Sequence, residues 1–477
     1  MKSVALHNLG CKVNAYEMDY MQQMLQEKGY KIVSFDEAAD IYIVNTCTVT
    51  NIADRKSRQM LHRAKKRNPN AVVVAAGCYV QTGQETLERD GTVDLAIGNN
   101  RKKDLVEILE AYLESRGGAA MGQGEAAEGM PGQEKEEQQE EAGGMRGTAV
   151  PEPKAAQPKP MTDRIDIDHA PYEEMTLRTT AEHTRAYIKI QDGCNQFCSY
   201  CVIPYARGRV RSRLEEDVLK EAGGMAEAGY REIVLTGIHI SSYGLDRGAS
   251  GLGRLLEKLS EVEGIGRIRL GSLEPGIVTE EFAALISALP KVCPHFHLSL
   301  QSGSDTVLRR MNRRYDTAGY LGAVERLRKY YENPAITTDV IVGFPGETEA
   351  EFAQTETFLQ RVGFYEMHIF KYSRRQGTRA AAMEGQLTEA EKAVRSERLM
   401  KLEREMSRAY REEFLGKTEE VLFEELVEKS GRRYWTGHTT RYLKVAREAE
   451  TEENLQNRIS SGRLVSFLAE DILLAVD

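Results

Sequence analysis

Apolar positions along the chain fall into short runs separated by stretches of amphipathic character. Over residues 1–114 the runs SVALHNL, KIVSF, DIYIVN, AVVVAAG and DLAIG predict strands, and NAYEMDYMQQMLQEKG, ADRKSRQMLHRAKKR and KDLVEILEAYLES predict the helices between them. This alternation predicts a small parallel α/β domain, Rossmann- or flavodoxin-like. Over residues 180–410 strand-like runs return at RAYIKI, EIVLTG, RIRLGS, HFHLSL, TTDVIVGF and YEMHIF, separated by helical segments such as EEFAALISALP and EAEFAQTETFLQRVG. Six βα units in series predict a partial (βα)6 barrel of the TIM type, with chemistry at the carboxyl ends of its strands. A long charged helix is expected over residues 388–414. Residues 415–477 hold EEVLFEELVE, RRYWTGHTTRYLKV and GRLVSFLAEDILLAV, short strands with turn residues that predict a small OB-like β-barrel. The expected fold class is therefore α/β with a C-terminal all-β domain.

Between the first two domains, Gly117 to Met175 is dominated by Gly, Ala, Glu, Gln and Pro, and an acidic low-complexity linker is expected over residues 115–175. This segment changes the reading of the charge. The net charge of −9 argues against a nucleic-acid partner, but residues 116–170 alone carry six basic and eleven acidic side chains, more than half of the excess. The start, MKSVALHNLGCKV, has no apolar stretch long enough for a signal peptide, and no later run approaches the length of a bilayer span, so a cytoplasmic protein without membrane contact is expected.

Seven cysteines in 477 residues are not a disulfide-dense composition. Cys194, Cys198 and Cys201 lie in QDGCNQFCSYCVIPYARG, a C-x3-C-x2-C loop directly after RAYIKI. So compact a loop can wrap three thiolates around one face of a 4Fe-4S cluster and leave the fourth iron without a protein ligand, open to a substrate. Tyr200, between the last two cysteines, would shield the cluster and face whatever binds there. The alternatives are a zinc site completed by a distant ligand or three buried thiols; the two C-x2-C pairs usual for zinc are missing. Cys11, Cys47 and Cys78 each follow a predicted strand of the first domain. Carboxyl ends of parallel strands share one edge, so these thiols would converge on one crevice. Position alone equally allows three ordinary core cysteines. Cys293, in KVCPHFHLSL, has no partner at a suitable spacing and is read as packing.

The loop GCNQFCSYCVIPYARG resembles the radical S-adenosylmethionine (SAM) signature of the methylthiotransferases. NLGCKVNAYE, NTCTVT and AAGCYVQ resemble the three cysteine motifs of their N-terminal domain, and the C-terminal segment is similar to their TRAM domain, an OB-like RNA-binding barrel. The resemblance covers nearly the whole chain apart from the acidic linker. It implies two 4Fe-4S clusters, one on Cys11, Cys47 and Cys78 and the other on Cys194, Cys198 and Cys201, with SAM bound to the open iron of the latter and cleaved to a 5′-deoxyadenosyl radical. It also implies that the N-terminal cluster handles sulfur, that C–H becomes C–S–CH3, and that no side chain serves as catalytic acid or base. Members of the family act on isopentenyladenosine in tRNA, threonylcarbamoyladenosine in tRNA, or an aspartate of a ribosomal protein. LGCKVN and GSLEP (Gly271–Pro275) resemble the threonylcarbamoyladenosine branch, which modifies position 37 beside the anticodon. The implied partners are the tRNA anticodon stem-loop, an electron donor such as a flavodoxin or ferredoxin, and a sulfur source. The rival from another class is a zinc-stabilised RNA-binding module without catalysis.

Within the barrel, Gly237 in LTGIH, Ser299 and Gln301 in HLSLQSGSD, and Val340, Ile341 and Gly343 in DVIVGFPGET are candidates for holding SAM; each is equally compatible with ordinary barrel-end turns. For RNA, RKSRQMLHRAKKR (Arg55–Arg67) carries seven Lys or Arg and no acid, though such a run is commonly a solvated helix face. ARGRVRSR places Arg207, Arg209, Arg211 and Arg213 at period two, on one face if extended. RRYWTGHTTRYLKV interleaves Arg432, Arg433, Arg441 and Lys444 with Tyr434, Trp435 and Tyr442, a composition suited to phosphate contact and base stacking.

Overall fold

The computed structural model describes residues 2–121, 160–180, 184–449 and 453–476. In the N-terminal domain β1 (Ser3–Asn8), β2 (Lys31–Val33), β3 (Ile41–Thr46), β4 (Val72–Gly77), β5 (Leu95–Ile97) and β6 (Met161–Asp163) form a parallel sheet in the order β2-β1-β3-β4-β5-β6. β3 and β4 are buried along their whole length, because helices cover both faces. Met18, Met21 and Leu25 of the helix Lys12–Glu27 pack on one face; Leu61 and Ala64 of the helix Asn51–Arg67 pack on the other.

The sixth strand revises the expected linker. Met161–Asp163 pairs with β5, and Ile167, Met175 and Leu177 are buried, so residues 161–175 belong to the packed fold and not to a linker. A three-residue strand is too short to show a period, and its pairing depends on a partner more than sixty residues away. The central part of the linker, residues 122–159, lies outside the described residues.

The second domain holds β7 (Arg185–Asp192), β8 (Arg211–Ser212), β9 (Glu232–Gly237), β10 (Arg267–Leu270), β11 (His295–His297), β12 (Ala335–Val342) and β13 (Glu366–Lys371). Two parallel sheets, β10-β9-β7 and β11-β12-β13, are joined by backbone hydrogen bonds from Ile268 to Lys291 and from Leu273 to His297, which gives the expected six-stranded partial barrel. β8 pairs antiparallel with the end of β7. Capping boxes at Thr348/Glu351 and Thr388/Glu391 start the helices Glu349–Val362 and Glu389–Glu412.

The C-terminal strands β14 (Thr418–Lys429), β15 (Arg432–Thr439), β16 (Lys444–Glu448), β17 (Ile459–Ala469) and β18 (Ile472–Val476) close a barrel in the order β14-β15-β16-β18-β17, with β16 and β18 parallel. This is the five-stranded arrangement of the OB type. It docks where the strands of the larger barrel begin: Arg267 donates to the carbonyls of His438 and Glu420, Arg269 to those of Thr439 and Thr440, and Arg441 to those of Glu332 and Asn333. No helix among the described residues is long and apolar enough to cross a membrane.

Candidate iron–sulfur and substrate site

β1, β3 and β4 are neighbours, so Cys11, Cys47 and Cys78, each following one of them, meet at one edge of the sheet. Burial and then the neighbouring Cys78 push the Cys47 thiol up to about 11. Gly10, at φ +108°, backs directly onto this group: a Cβ there would lie 2.9 Å from Cys47 Sγ. Asn99 Nδ2 donates to Cys78 Sγ at 3.4 Å and to the carbonyl of Ala206 at 2.8 Å, tying this edge to the barrel.

The second group sits on the loop after β7. The Cys194 amide donates to the Gly208 carbonyl and the Cys201 amide to that of Cys198, both at 3.0 Å, which folds the loop tightly. Burial pushes the Cys194 thiol up to about 11 and the Cys201 thiol up to about 12, and Cys198 adds to both. Arg313 Nη1 donates to Cys198 Sγ at 3.1 Å, and Gln196 N to Cys194 Sγ at 3.5 Å. All six thiols are free of disulfides. Two sets of three soft donors, crowded enough to oppose one another's ionisation, fit iron–sulfur clusters, whose iron takes the thiolate form.

A cavity of about 640 Å³ opens between the domains. Gly10, Cys11 and Lys12 line one wall, Gly237, Asp339 and His368 the barrel side, and Tyr442 the end nearest the C-terminal domain. Several polar side chains line it: His297 Nε2 faces Asp339 at 3.4 Å, and His297 Nδ1 meets Thr337 Oγ1 at 3.0 Å.

The SAM candidates divide. Gly237 lines this cavity. Gln301 is buried at φ +72° and is joined to β12 by backbone hydrogen bonds to Asp339 and from Ile341. Tyr200 and Ile341 pack on one cluster with Phe344, beside the barrel thiols, and Ser299 is half-buried at the end of the fourth strand. Val340 is placed otherwise. Strand alternation turns it into the fully buried barrel core, on the face opposite Asp339. Gly343 is also placed otherwise: at φ +71°, a Cβ there would lie 2.3 Å from Lys392 Cγ, so its missing side chain makes room for the helix Glu389–Glu412.

Most of the expected RNA face is structural. Trp435 is buried in the C-terminal barrel core and donates Nε1–H to the Glu453 carbonyl; Tyr434 is buried beside it. Closure of the barrel gives β15 an inside, which a linear reading cannot assign. Tyr442 stacks between His438 and His295, with ring centres 4.4 and 5.1 Å away, and Arg441 is spent on the domain interface. Arg432 and Arg433 are exposed and Lys444 half-buried. Arg207, Arg211 and Arg213 are buried in ion pairs with Glu17, Asp192 and Glu221, because Ile203–Arg207 is helical and Gly208 turns the chain; only Arg209 is substantially exposed. The basic helix Asn51–Arg67 shows a solvated charged face, with Arg55, Lys56, Arg63 and Lys66 exposed. Cys293 is buried without a partner thiol, as expected.

Several residues of the site escaped the sequence reading. Glu274 accepts from Gln196 at 2.7 Å and pairs with His239 and Arg313 at 3.1 and 3.3 Å. Arg313 lies in MNRRY, a segment with no cysteine or strand-end motif to mark it. Lys12 was visible only as part of the Cys11 motif.

Two thiol triads, one on a (βα)6 barrel and one at the edge of a Rossmann-like sheet, define a radical SAM enzyme with an auxiliary cluster domain. Residues 188–359 match the Radical SAM superfamily, and residues 3–98 match a family described as Uncharacterized protein family UPF0004. The chain is 38% identical over 448 residues to the threonylcarbamoyladenosine tRNA methylthiotransferase MtaB of Bacillus subtilis, covering 93% of this chain and 90% of that one. It is 35% identical over 430 residues to the tRNA-2-methylthio-N(6)-dimethylallyladenosine synthase of Moorella thermoacetica, covering 89% and 87%. Among solved structures, the radical SAM methyltransferase TsrM of Kitasatospora setae shares the fold, with a TM-score of 0.53 at 15% identity over 80% of this chain and 77% of that one. The chain belongs to the radical SAM methylthiotransferase family and uses two 4Fe-4S clusters and SAM. The zinc-stabilised, non-catalytic alternative is thereby excluded.

Proposed function

We propose that this protein methylthiolates N6-threonylcarbamoyladenosine at position 37 of tRNA, converting C2–H into C2–SCH3. The observation that carries this choice is the set of polar side chains, Lys12, His297, Thr337, Asp339 and His368, in the walls of the cavity beside Cys11. An isopentenyl group would give Lys12 no partner, whereas a threonylcarbamoyl group brings a carboxylate to meet it, with a hydroxyl and a urea to join the His297, Thr337 and Asp339 contacts. The MtaB relatives and the LGCKVN and GSLEP segments support the same substrate.

Cys194, Cys198 and Cys201 would hold the cluster that with bound SAM would supply radical chemistry at the C–H bond, and Cys11, Cys47 and Cys78 would hold the cluster that would supply sulfur. The protein's own part is positional. Gly237, Ser299, Gln301, Tyr200 and Ile341 lie around the SAM site, and the domains enclosing the cavity keep water from the reacting carbon. Arg432, Arg433 and Lys444 contact the anticodon stem-loop. The enzyme works in the cytoplasm with a flavodoxin- or ferredoxin-like electron donor and a source of sulfur.

Nucleoside mass spectrometry of tRNA from cells lacking the protein tests this reading. Loss of the methylthio group from threonylcarbamoyladenosine is expected. An unchanged nucleoside profile sinks the proposal, and loss from isopentenyladenosine instead moves the enzyme to the other branch.

A further inference from the structure

Lys12 and Arg269 line the cavity, Arg185 stacks on the Tyr442 ring that also lines it, and the two arginines are neutralised. Arg269 is held by both oxygens of Glu232, at 2.9 and 3.3 Å, and by two carbonyls of the C-terminal barrel. Arg185 pairs with Glu424 at 3.2 Å. Lys12 differs: it lines the cavity, its side chain is exposed there, and it makes no hydrogen bond or ion pair with any described residue. The acids around the cavity do not serve it, since Glu366 is paired with Arg411 at 2.8 Å and Asp339 faces His297. Lys12 also opens the helix Lys12–Glu27, whose first turn has no acidic residue and whose preceding Cys11 gives no side-chain cap. Arg185 and Arg269 outweigh Glu232 around Lys12, and with the helix terminus they leave the local field at this wall positive.

We propose that Lys12 binds the carboxylate of the threonyl group and so makes the enzyme select an acidic N6 substituent over a neutral one. This rests on the threonylcarbamoyladenosine reading above. The chemistry of adenine places the two ends together. C2 and C6 flank N1, so a substituent on N6 that folds over N1 brings its carboxylate to the edge that carries C2. C2 must approach the wall formed by Cys11, and Lys12 is the next residue in that wall. A charge-assisted hydrogen bond from the ammonium then pulls the reacting edge towards the sulfur-bearing domain, while His297 and Thr337 on the barrel side face the remaining polar groups. Lys12 is a specificity and positioning residue, acting through the substrate's carboxylate.

The test uses the reconstituted holoenzyme and two anticodon stem-loop RNAs, one with threonylcarbamoyladenosine at position 37 and one with its threonyl methyl ester. Binding affinity and methylthiolation kcat/KM are measured for wild type, Lys12→Met and Lys12→Arg, each carrying the wild-type iron content. The wild type is expected to prefer the acid by roughly ten- to a hundredfold, Lys12→Met to treat acid and ester alike, and Lys12→Arg to keep part of the preference. A Lys12→Met enzyme that still prefers the acid as strongly as wild type overturns the role of Lys12 and leaves the substrate reading standing. A wild type that methylthiolates neither RNA overturns the substrate reading itself.

Discussion

Arg207 of the barrel grips Glu17 of the N-terminal domain with both terminal guanidinium nitrogens, Nη1 to Oε1 at 2.8 Å and Nη2 to Oε2 at 2.9 Å, and both side chains are about 1% exposed. The pair is the centre of a buried network. Glu17 also pairs with Lys102 and Lys189, Arg207 also pairs with Asp192, and Arg207 Nη2 reaches Asn14 at 2.6 Å. Asn14 lies three residues from Cys11, and Arg207 six from Cys201, so the network sets how one cysteine group faces the other. Removing one partner strands buried charge at a cost of about 3–5 kcal/mol. Arg207→Met is expected to lower the thermal unfolding midpoint and to reduce the iron retained; calorimetry and iron analysis check this, and an unaltered midpoint would sink it.

The same pair predicts a pH dependence. Burial opposes the charge on Glu17, but Arg207, Lys102 and Lys189 outweigh it and hold the carboxyl well below its ordinary value of 4.5. Stability from a depressed acid is present above its unfolded value and is lost as pH falls towards the folded one. Denaturant unfolding of the wild type should therefore lose stability progressively below about pH 4.5, and Glu17→Gln, less stable at neutral pH, should lose less over that range. Parallel curves for the two proteins would refute this role for Glu17.

The two cysteine groups are expected to separate in mutants. Cys198→Ala should abolish SAM cleavage, whereas Cys47→Ala should spare cleavage and stop methylthiolation. Gly10→Ala should resemble Cys47→Ala, because its Cβ would crowd Cys47 Sγ at 2.9 Å and its backbone would be strained at φ +108°. Iron content falling to about half, with SAM cleavage retained, is the signature for both N-terminal variants. Equal loss of both activities would refute the division of labour.

Arg313 places a cation 3.1 Å from Cys198 Sγ and pairs with Glu274 on its other side. Removing positive charge and a hydrogen bond from a ligand sulfur disfavours the reduced, more negative cluster. Arg313→Met should shift the reduction potential of the barrel cluster to more negative values, read by a redox titration followed by electron paramagnetic resonance. An unmoved potential would limit Arg313 to packing.

The C-terminal barrel offers a contrast between burial and exposure. Trp435→Ala should destabilise the protein by roughly 3–5 kcal/mol through the cavity it leaves. Arg432→Ala and Arg433→Ala should leave the unfolding midpoint unchanged but weaken tRNA binding and reduce its salt slope by about one each. Filter-binding titrations at several salt concentrations distinguish the two outcomes.

Much of this was written in the linear pattern. The six βα units, the short C-terminal strands and the strand-end positions of Cys11, Cys47 and Cys78 follow from local periodicity, which depends only on neighbours within a few residues. The C-x3-C-x2-C loop is likewise local, so its ligand spacing survives without knowledge of the fold. What the tertiary structure decided involves partners far apart in sequence. β6 needed β5 before it could be a strand, Val340 needed its packed barrel and Trp435 a closed one before each had a buried side, and Arg207 needed Glu17, 190 positions earlier, before it was a clamp and not a phosphate contact. Lys12 carries the same lesson. Sequence shows a lysine beside a cysteine, but only the assembled walls show that no described side chain forms an ion pair with it, because neutralisation depends on which side chains meet in space.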